Sequence, residues 1–567
     1  MKYLFFTLLC LLLFAVSCSN ESELKELTNQ STSSEETLTV PPDPFESKSE
    51  KIKDRIRFIF EEKGEYERLH ILDERLFSSV LLPKVYIKQK FHPIWISNKN
   101  SLLFIDEYIM YIESLRYHGL QPSDYHLEQI QHYRSTIEND SLEIFNVAAL
   151  DILLSDAFFM ISSHLYNGKI NPESLQSEWG IQRQRPELEL DEKLLLLLNK
   201  EQSVNEFMER FYPIDRNYKL LLRTSEKLWK DTISEIRLSF PTVRLPLDLY
   251  EDSTFTPQVL KRLIELDYIS EQNDSSTVDD VVSAIQQLQA SFGLNTDGKI
   301  GSFTLEALNL TREEKLQKIL VNMERMRWLP DEKSARRILV NIADFTLDYI
   351  TDNDTLISMK TVVGRNFRQT PVFEAKMTYL VFSPTWTIPP GILRNDVLPA
   401  IAKDISYLSK NNMVVLDRTG KTIDAHSIDW QKARTGNFPY MIRQMPGDQN
   451  ALGRVKFMFP NKYNVYLHDT PSKSLFDRDE RTFSSGCIRI SKPAELAKLL
   501  LNNEEKWNSQ TIAENMRLSR EKTVLLPEAV GVYIYYLTAW GDEKYIHFRK
   551  DIYDRDQEVY RSLMTNN

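Results

Sequence analysis

The sequence predicts a multidomain α+β protein: a helical scaffold, then a compact three-helix unit, then a mostly β domain interrupted by a helical and loop-rich insertion. Three observations carry that expectation. At 567 residues the chain exceeds what one core organises, and about 100–200 residues per domain gives three or four units. From about Ile52 to Arg244 apolar residues recur three and four apart, the period of a buried helix face. From Arg337 the period falls to two, as in strands.

Residues 1–17 carry one positive charge and then an apolar run too short to span a bilayer as a mature helix, the pattern of a secretory signal. Cys18 directly follows Ala15-Val16-Ser17, so the segment resembles a lipoprotein signal whose cleavage leaves Cys18 as a lipid-carrying N-terminus. A plain signal peptide or an uncleaved anchor is the alternative. Residues 18–50, rich in Ser, Thr, Glu and Pro, offer little to bury and read as a flexible linker. The net charge of −11 and the lack of any strongly basic run exclude a nucleic-acid partner.

Residues 51–245 form the expected scaffold. The stretches from Leu102 and from Val147 repeat apolar residues at helical spacing over several turns. Asp151, Asp156 and His164 share one of these helices and could suggest a metal site, but hydrogen bonding within a helical core is the commoner use of such residues. Residues 250–312 form the compact unit. Thr256-Pro257 reads as N-cap and first-turn proline, and further helices carry Ile285, Leu288 and Phe292, then Leu305 and Leu308, around an Asp297-Gly298 turn. Residues 313–332 form a connecting helix that ends at Pro330 and packs back on the scaffold. The β domain spans 335–545, with strands expected within 338–350, 356–363, 377–382 and 463–467 and around 532–540. Its insertion covers about 395–440 and includes His426 and Trp430. A helix is expected over 494–501, and residues 546–567 read as a charged, peripheral tail.

Of three cysteines, Cys10 leaves with the signal and Cys18 is consumed by lipid, so Cys487 remains as the one free thiol. An exported chain normally spends cysteines on disulfides, so an unpaired thiol there points to reactivity. Ser484-Ser485-Gly486-Cys487 allows a tight turn that exposes consecutive N–H groups, the arrangement that stabilises an oxyanion. His468, nineteen positions upstream at the end of an alternating stretch, is the nearest candidate to activate the thiol, whose unperturbed pKa is about 8.5. Out of context a lone cysteine is more often a small buried hydrophobe and a lone histidine a hydrogen-bonded core or surface residue. No metal or other cofactor is called for.

His468, Ser484, Gly486, Cys487 and Arg489 match the signature of the L,D-transpeptidases with a YkuD-type catalytic domain, and Ser485 stands where many members carry histidine. Val362-Val-Gly-Arg365, Ser383 to Gly391 and Asn450 to Phe457 extend this resemblance, which points to the large periplasmic YcbB-like subfamily. Residues 284–309 resemble the three-helix peptidoglycan-binding domain, which has either kept its ligand or become a spacer. The resemblance implies Cys487 as nucleophile, His468 as general base and acid, and backbone N–H groups of Ser485, Gly486 and Cys487 as oxyanion hole. It further implies substrate contacts at Arg489, Trp386 and Ser484, with Arg489 either pairing a substrate carboxylate or fixing the loop. The implied partners are peptidoglycan stem peptides and glycan, the implied inhibitors carbapenem-type β-lactams. The implied reaction passes an acyl group from a tetrapeptide stem through a Cys487 thioester to a second stem's amine, giving a 3→3 cross-link. Water as acceptor would make a carboxypeptidase and a protein lysine an anchoring enzyme. A non-catalytic wall-binding lipoprotein is the reading from another class.

Overall fold

The structure, a computed structural model, describes residues 44–565 apart from 62–68, 98–100, 138–142, 177–178, 182–187, 200, 231–236, 241–243, 271–275, 332, 437 and 543–544. The signal segment, Cys10, Cys18 and most of the linker lie outside the described residues. One expectation is corrected at this border, because the helix Pro44–Glu61 already occupies the last part of the supposed linker. Ile52, Ile56 and Ile59 give that helix a buried stripe, and this apolar surface outweighs the polar composition that suggested a tether.

The scaffold is built around the helix Ile144–Asn167, in which every residue from Val147 to Ser162 is buried. Its buried carboxylates are spent on hydrogen bonds. Asp151 accepts from the Tyr86 hydroxyl (2.6 Å) and from the amides of Ile94, Trp95 and Ile96. Asp156 accepts from the amides of Phe77 and Ser78 and from Nε2 of His126. His164 Nδ1 bonds the Tyr125 hydroxyl at 2.9 Å. These groups hold loops against the helix, and among the described residues no group of three His, Cys, Asp or Glu side chains is placed to hold a metal ion.

The three-helix unit comprises Thr256–Glu265, Val278–Ser291 and Ser302–Asn309 around Val259, Leu263, Ile285, Leu288 and Leu308. Thr256 is not the N-cap. Asp252 caps a preceding 3-10 turn, Ser253–Phe255, through the Thr254 amide, and Thr256 continues directly out of it as the first helical residue. The helix Arg312–Arg327 then bolts the parts together. Arg327 pairs with Glu324 at 2.6 Å, both fully buried, and also donates to the His118 carbonyl and the Tyr218 hydroxyl of the scaffold.

In the β domain eight strands pair in a closed circuit: 455–458, 467–468, 488–490, 354–364, 346–351, 336–341, 522–535 and 372–382, the last returning to the first. Closure removes the exposed edges that an open sheet would carry. The stretch 338–350 is therefore a hairpin, and the strand expected near 532 begins at Lys522, with a register shift between Leu525 and Val530 around Pro527. The insertion has its own four-stranded sheet, which includes Trp386–Thr387 and Met441–Gln444, and its own core around Val397, Ile401, Val415 and Ile442.

The C-terminal segment is not a peripheral tail. The helix Asp556–Met564 buries Val559 and Leu563, and Asp556 pairs with Arg325 at 2.6 Å. Tyr553 is buried and donates to the Gly364 carbonyl. The charge that suggested solvent exposure is matched instead by partners on the connecting helix.

Candidate active site

The site lies where the barrel strands Leu467–His468 and Ile488–Ile490 run parallel, with Leu467 opposite Ile488 and His468 opposite Arg489. Side chains alternate across a strand, so Leu467, Ile488 and Ile490 enter the barrel core. His468 and Arg489, opposite each other in the register, then leave on the other face. The predicted imidazole lies on one of these strands and the predicted thiol immediately before the other, and Tyr466 touches both residues: its ring centre is 5.8 Å from that of His468, and its amide and hydroxyl bond the Cys487 sulfur. The strand expected over 463–467 is reduced to Leu467–His468. Upstream, Asn464 is left-handed, and the Asn461 side chain accepts from the amides of Tyr463 and Val465, which holds that stretch as a turn.

The loop before the thiol is tied to its surroundings. Gly486 has φ +110, a conformation that side chains rarely adopt, and its carbonyl accepts from Thr370. Ser484 is 2% exposed; its hydroxyl donates to the Cys487 carbonyl (2.5 Å) and accepts from the Gly486 amide (3.1 Å). This corrects two expectations. Ser484 shapes the turn and does not face a substrate, and the Gly486 amide is occupied within the loop. The amides of Ser485 and Cys487 have no hydrogen-bond partner among the described residues, so they remain the candidate oxyanion donors.

His468 is 4% exposed, and its Nδ1 donates to the Asp469 carbonyl at 2.5 Å. With the proton on Nδ1 for this bond, the other nitrogen is the unprotonated one, and the Leu452 backbone carbonyl is a second acceptor beside the ring. Burial first, and then the positive charge of Arg489, push its pKa down to about 3, so the imidazole is neutral over the whole physiological range. The Asp469 carboxylate turns away from it, to the Arg454 amide and to Lys473. Cys487 is partly exposed. Burial among its neighbours raises its pKa, against the pull of hydrogen bonds from the amide and hydroxyl of Tyr466 and of the Arg489 charge. The thiol itself donates weakly to the Asn464 carbonyl, 3.8 Å away. The resting site is therefore a neutral thiol beside a neutral imidazole.

Trp386, on the inner edge of the insertion's sheet, hydrogen-bonds the Tyr466 hydroxyl, which in turn bonds the Cys487 sulfur. Arg489 has an Nε with no partner among the described residues and is held below its ordinary pKa by burial and by neighbouring Arg365. Arg368 donates to the Ser485 hydroxyl (3.0 Å) and reaches Asp396 of the insertion (3.4 Å). Sequence reasoning missed Tyr466, Arg365 and Arg368 as site residues. For Tyr466 a signal existed in its position two residues before His468 in an alternating stretch. His426 is exposed, and Trp430 is buried in the core of the insertion. A partly exposed thiol, a neutral imidazole acceptor and free amides can together support nucleophilic attack on a carbonyl.

Residues 335–512 match the family described as "L,D-transpeptidase catalytic domain". Residues 257–308 match "Putative peptidoglycan binding domain" and residues 80–224 match "Scaffold domain". A protein of Haemophilus influenzae named "Putative L,D-transpeptidase" is 38% identical over 245 residues, 43% of this chain and 49% of that protein. The chain thus spans about half the length of the curated relative it matches. A solved L,D-transpeptidase from Mycobacterium smegmatis aligns over 36% of this chain and 60% of its own at 13% identity, with a TM-score of 0.18, too low to speak for a shared arrangement. Three family models thus match successive parts of the chain, scaffold, peptidoglycan binding and L,D-transpeptidase catalysis in that order.

Proposed function

We propose that the protein is a cysteine-dependent L,D-transpeptidase that forms 3→3 cross-links between peptidoglycan stems. The observation that carries this reading is that Cys487 and His468 belong to adjacent strand ends, with two unengaged amides in the thiol loop, within the region that matches the L,D-transpeptidase catalytic domain. Cys487 Sγ attacks the carbonyl between the diamino acid and the terminal D-Ala of a tetrapeptide stem, and its proton passes to His468. The oxyanion is held by the amides of Ser485 and Cys487. The C–N bond breaks, the leaving D-Ala amine takes the proton from His468, and a thioester remains. A side-chain amine of a second stem attacks the thioester, gives up its proton to His468, and the thiol is restored.

Because burial disfavours both charged forms, the proton moves as the carbon–sulfur bond forms and no thiolate–imidazolium pair is stored beforehand. Carbapenem-type β-lactams, which acylate thiols, would inhibit. Cys18 would carry lipid, leaving the enzyme exported, periplasmic and anchored to a membrane.

Incubating the folded chain with purified disaccharide-tetrapeptide and weighing the products tests the reading. A cross-linked dimer is expected, with loss of activity in Cys487→Ala. Tripeptide monomer alone would mean a carboxypeptidase, and dimer formation by Cys487→Ala would remove the thiol from the mechanism.

A further inference from the structure

Two arginines stand at the two ends of the thiol loop. Arg489 follows Cys487 by two residues and lies opposite His468 in the strand register. Arg365 directly follows the strand 354–364, which pairs with the strand of Arg489, and its amide donates to the Ser484 carbonyl at 3.1 Å. The two guanidiniums are close enough that the charge of Arg365 helps to hold Arg489 below its ordinary pKa. Like charges are thus drawn together beside the nucleophile.

Neither charge is spent inside the protein. Arg365 is exposed, and among the described residues its guanidinium meets only the Phe367 ring, whose centre is 6.0 Å away. Arg489 is partly exposed: its Nε is closed off from solvent, its two terminal nitrogens are not, and none of the three has an acceptor or a carboxylate within bonding distance among the described residues. A residue that fixes the loop would hydrogen-bond it, so the absence of such a bond separates the two roles the sequence left open for Arg489. Arg368 is the contrast, because it donates to the Ser485 hydroxyl at 3.0 Å and reaches Asp396 at 3.4 Å. Two neighbouring cations that keep reachable donors and lack a counter-charge repel each other in the protein alone, and an anion between them removes that cost. The forked N–H edges of guanidiniums fit a carboxylate.

We propose that Arg365 and Arg489 form a two-guanidinium clamp for a peptide carboxylate beside the thiol, with Arg365 a specificity-determining residue of the transfer. The identity of the peptide rests on the transpeptidase reading, since acyl donor and acceptor are both stem peptides that carry free carboxylates. Either source presents the same chemistry to the clamp. An anion held there also offsets the Arg489 charge, which works against proton uptake by His468. The bound peptide then makes the imidazole a better base for its own reaction.

The test uses the full chain, native, Arg365→Gln and Arg365→Lys, with pairs of tetrapeptide stems that differ only in one free carboxylate or its primary amide. Each pair is offered first as donor and then as acceptor. In one of the two roles the native protein is expected to show a KM lower for the acid than for the amide by about 10-fold or more; the role affected identifies the source. Arg365→Gln is expected to lose most of that preference, and Arg365→Lys, which keeps the charge without the fork, to lie between the two. Arg365 is exposed, so its replacement leaves the barrel core untouched, and Arg489→Gln serves as a second variant with the same expected loss. Calorimetric binding of the same pairs to Cys487→Ala, with and without Arg365→Gln, reads the clamp without turnover. An equal acid preference with and without Arg365, or none in the native protein, overturns the clamp. So does an Arg365→Gln variant whose Cys487 alkylation rate changes while its acid preference stays, because the charge would then serve the thiol alone. Absence of any product while the Arg365-dependent binding preference persists overturns the transpeptidase reading alone.

Discussion

His126 in the scaffold and His468 in the barrel are both almost fully buried, yet their neighbours drive them in opposite directions. Around His126, burial lowers proton affinity, but hydrogen bonds and charge from Asp156 (2.8 Å) and Glu74 (2.5 Å) outweigh it and raise the pKa to about 9. At His468 burial and then the Arg489 charge outweigh the backbone carbonyls of Asp469 and Leu452, and the pKa falls to about 3. The buried carboxylates of the scaffold, Asp151 and Asp156, have their partners within it, whereas beside the thiol groups stay open: the Arg489 Nε and the amides of Ser485 and Cys487. Burial with partners makes an element rigid. Burial without them leaves a site with unused binding capacity.

The comparison is broken most severely at His468. His468→Asn can still donate to the Asp469 carbonyl but cannot relay a proton, so product formation should fall by about 10²–10⁴-fold with melting temperature nearly unchanged. Unfolding of the variant would make His468 a structural residue like its scaffold counterpart.

At His126 the effect is on stability and depends on pH. A folded-state pKa raised from 6.5 to about 9 adds stability that is fully present below 6.5 and is lost as pH rises through 9, to a limit of about 3 kcal/mol. Denaturant unfolding of the native protein should weaken between pH 7 and 10. His126→Gln should be less stable at pH 7 and converge with the native protein at pH 10. A constant difference across that range would show that packing, not charge, is what the histidine supplies.

Much of this contrast was legible in the sequence, for reasons that differ by residue. Cys487 and His468 stood out because a lone thiol in a Ser-Ser-Gly-Cys turn and a histidine at the end of an alternating stretch are local patterns. The helical scaffold was legible because a continuous apolar helix such as 144–167 has to be buried. What composition could not reveal was long-range pairing. Ser484 looked available until the fold turned its hydroxyl into the loop. The segment after Asp551 looked solvated because Asp556 and its cationic partners Arg325 and Lys318 are some 230 positions apart. Tyr466 was hidden because a tyrosine in a strand ordinarily reads as packing.

The smallest expected effect sharpens the comparison at Tyr466. Its hydroxyl receives a hydrogen bond from Trp386 and gives one to the Cys487 sulfur, a bond that favours the thiolate over the thiol. A hydrogen bond to a charged group contributes about 1.5 kcal/mol at the lower end of its range, or about one pKa unit. In Tyr466→Phe the rate of Cys487 alkylation should therefore follow a titration shifted upward by about one unit, with no loss of folding. Since His468 is already neutral near pH 7 in both proteins, the whole shift reports on the thiol. An unchanged profile would mean that the backbone amide of Tyr466 and the Arg489 charge alone stabilise the sulfur. The tyrosine would then be a packing residue, and the link from the insertion to the nucleophile would be broken.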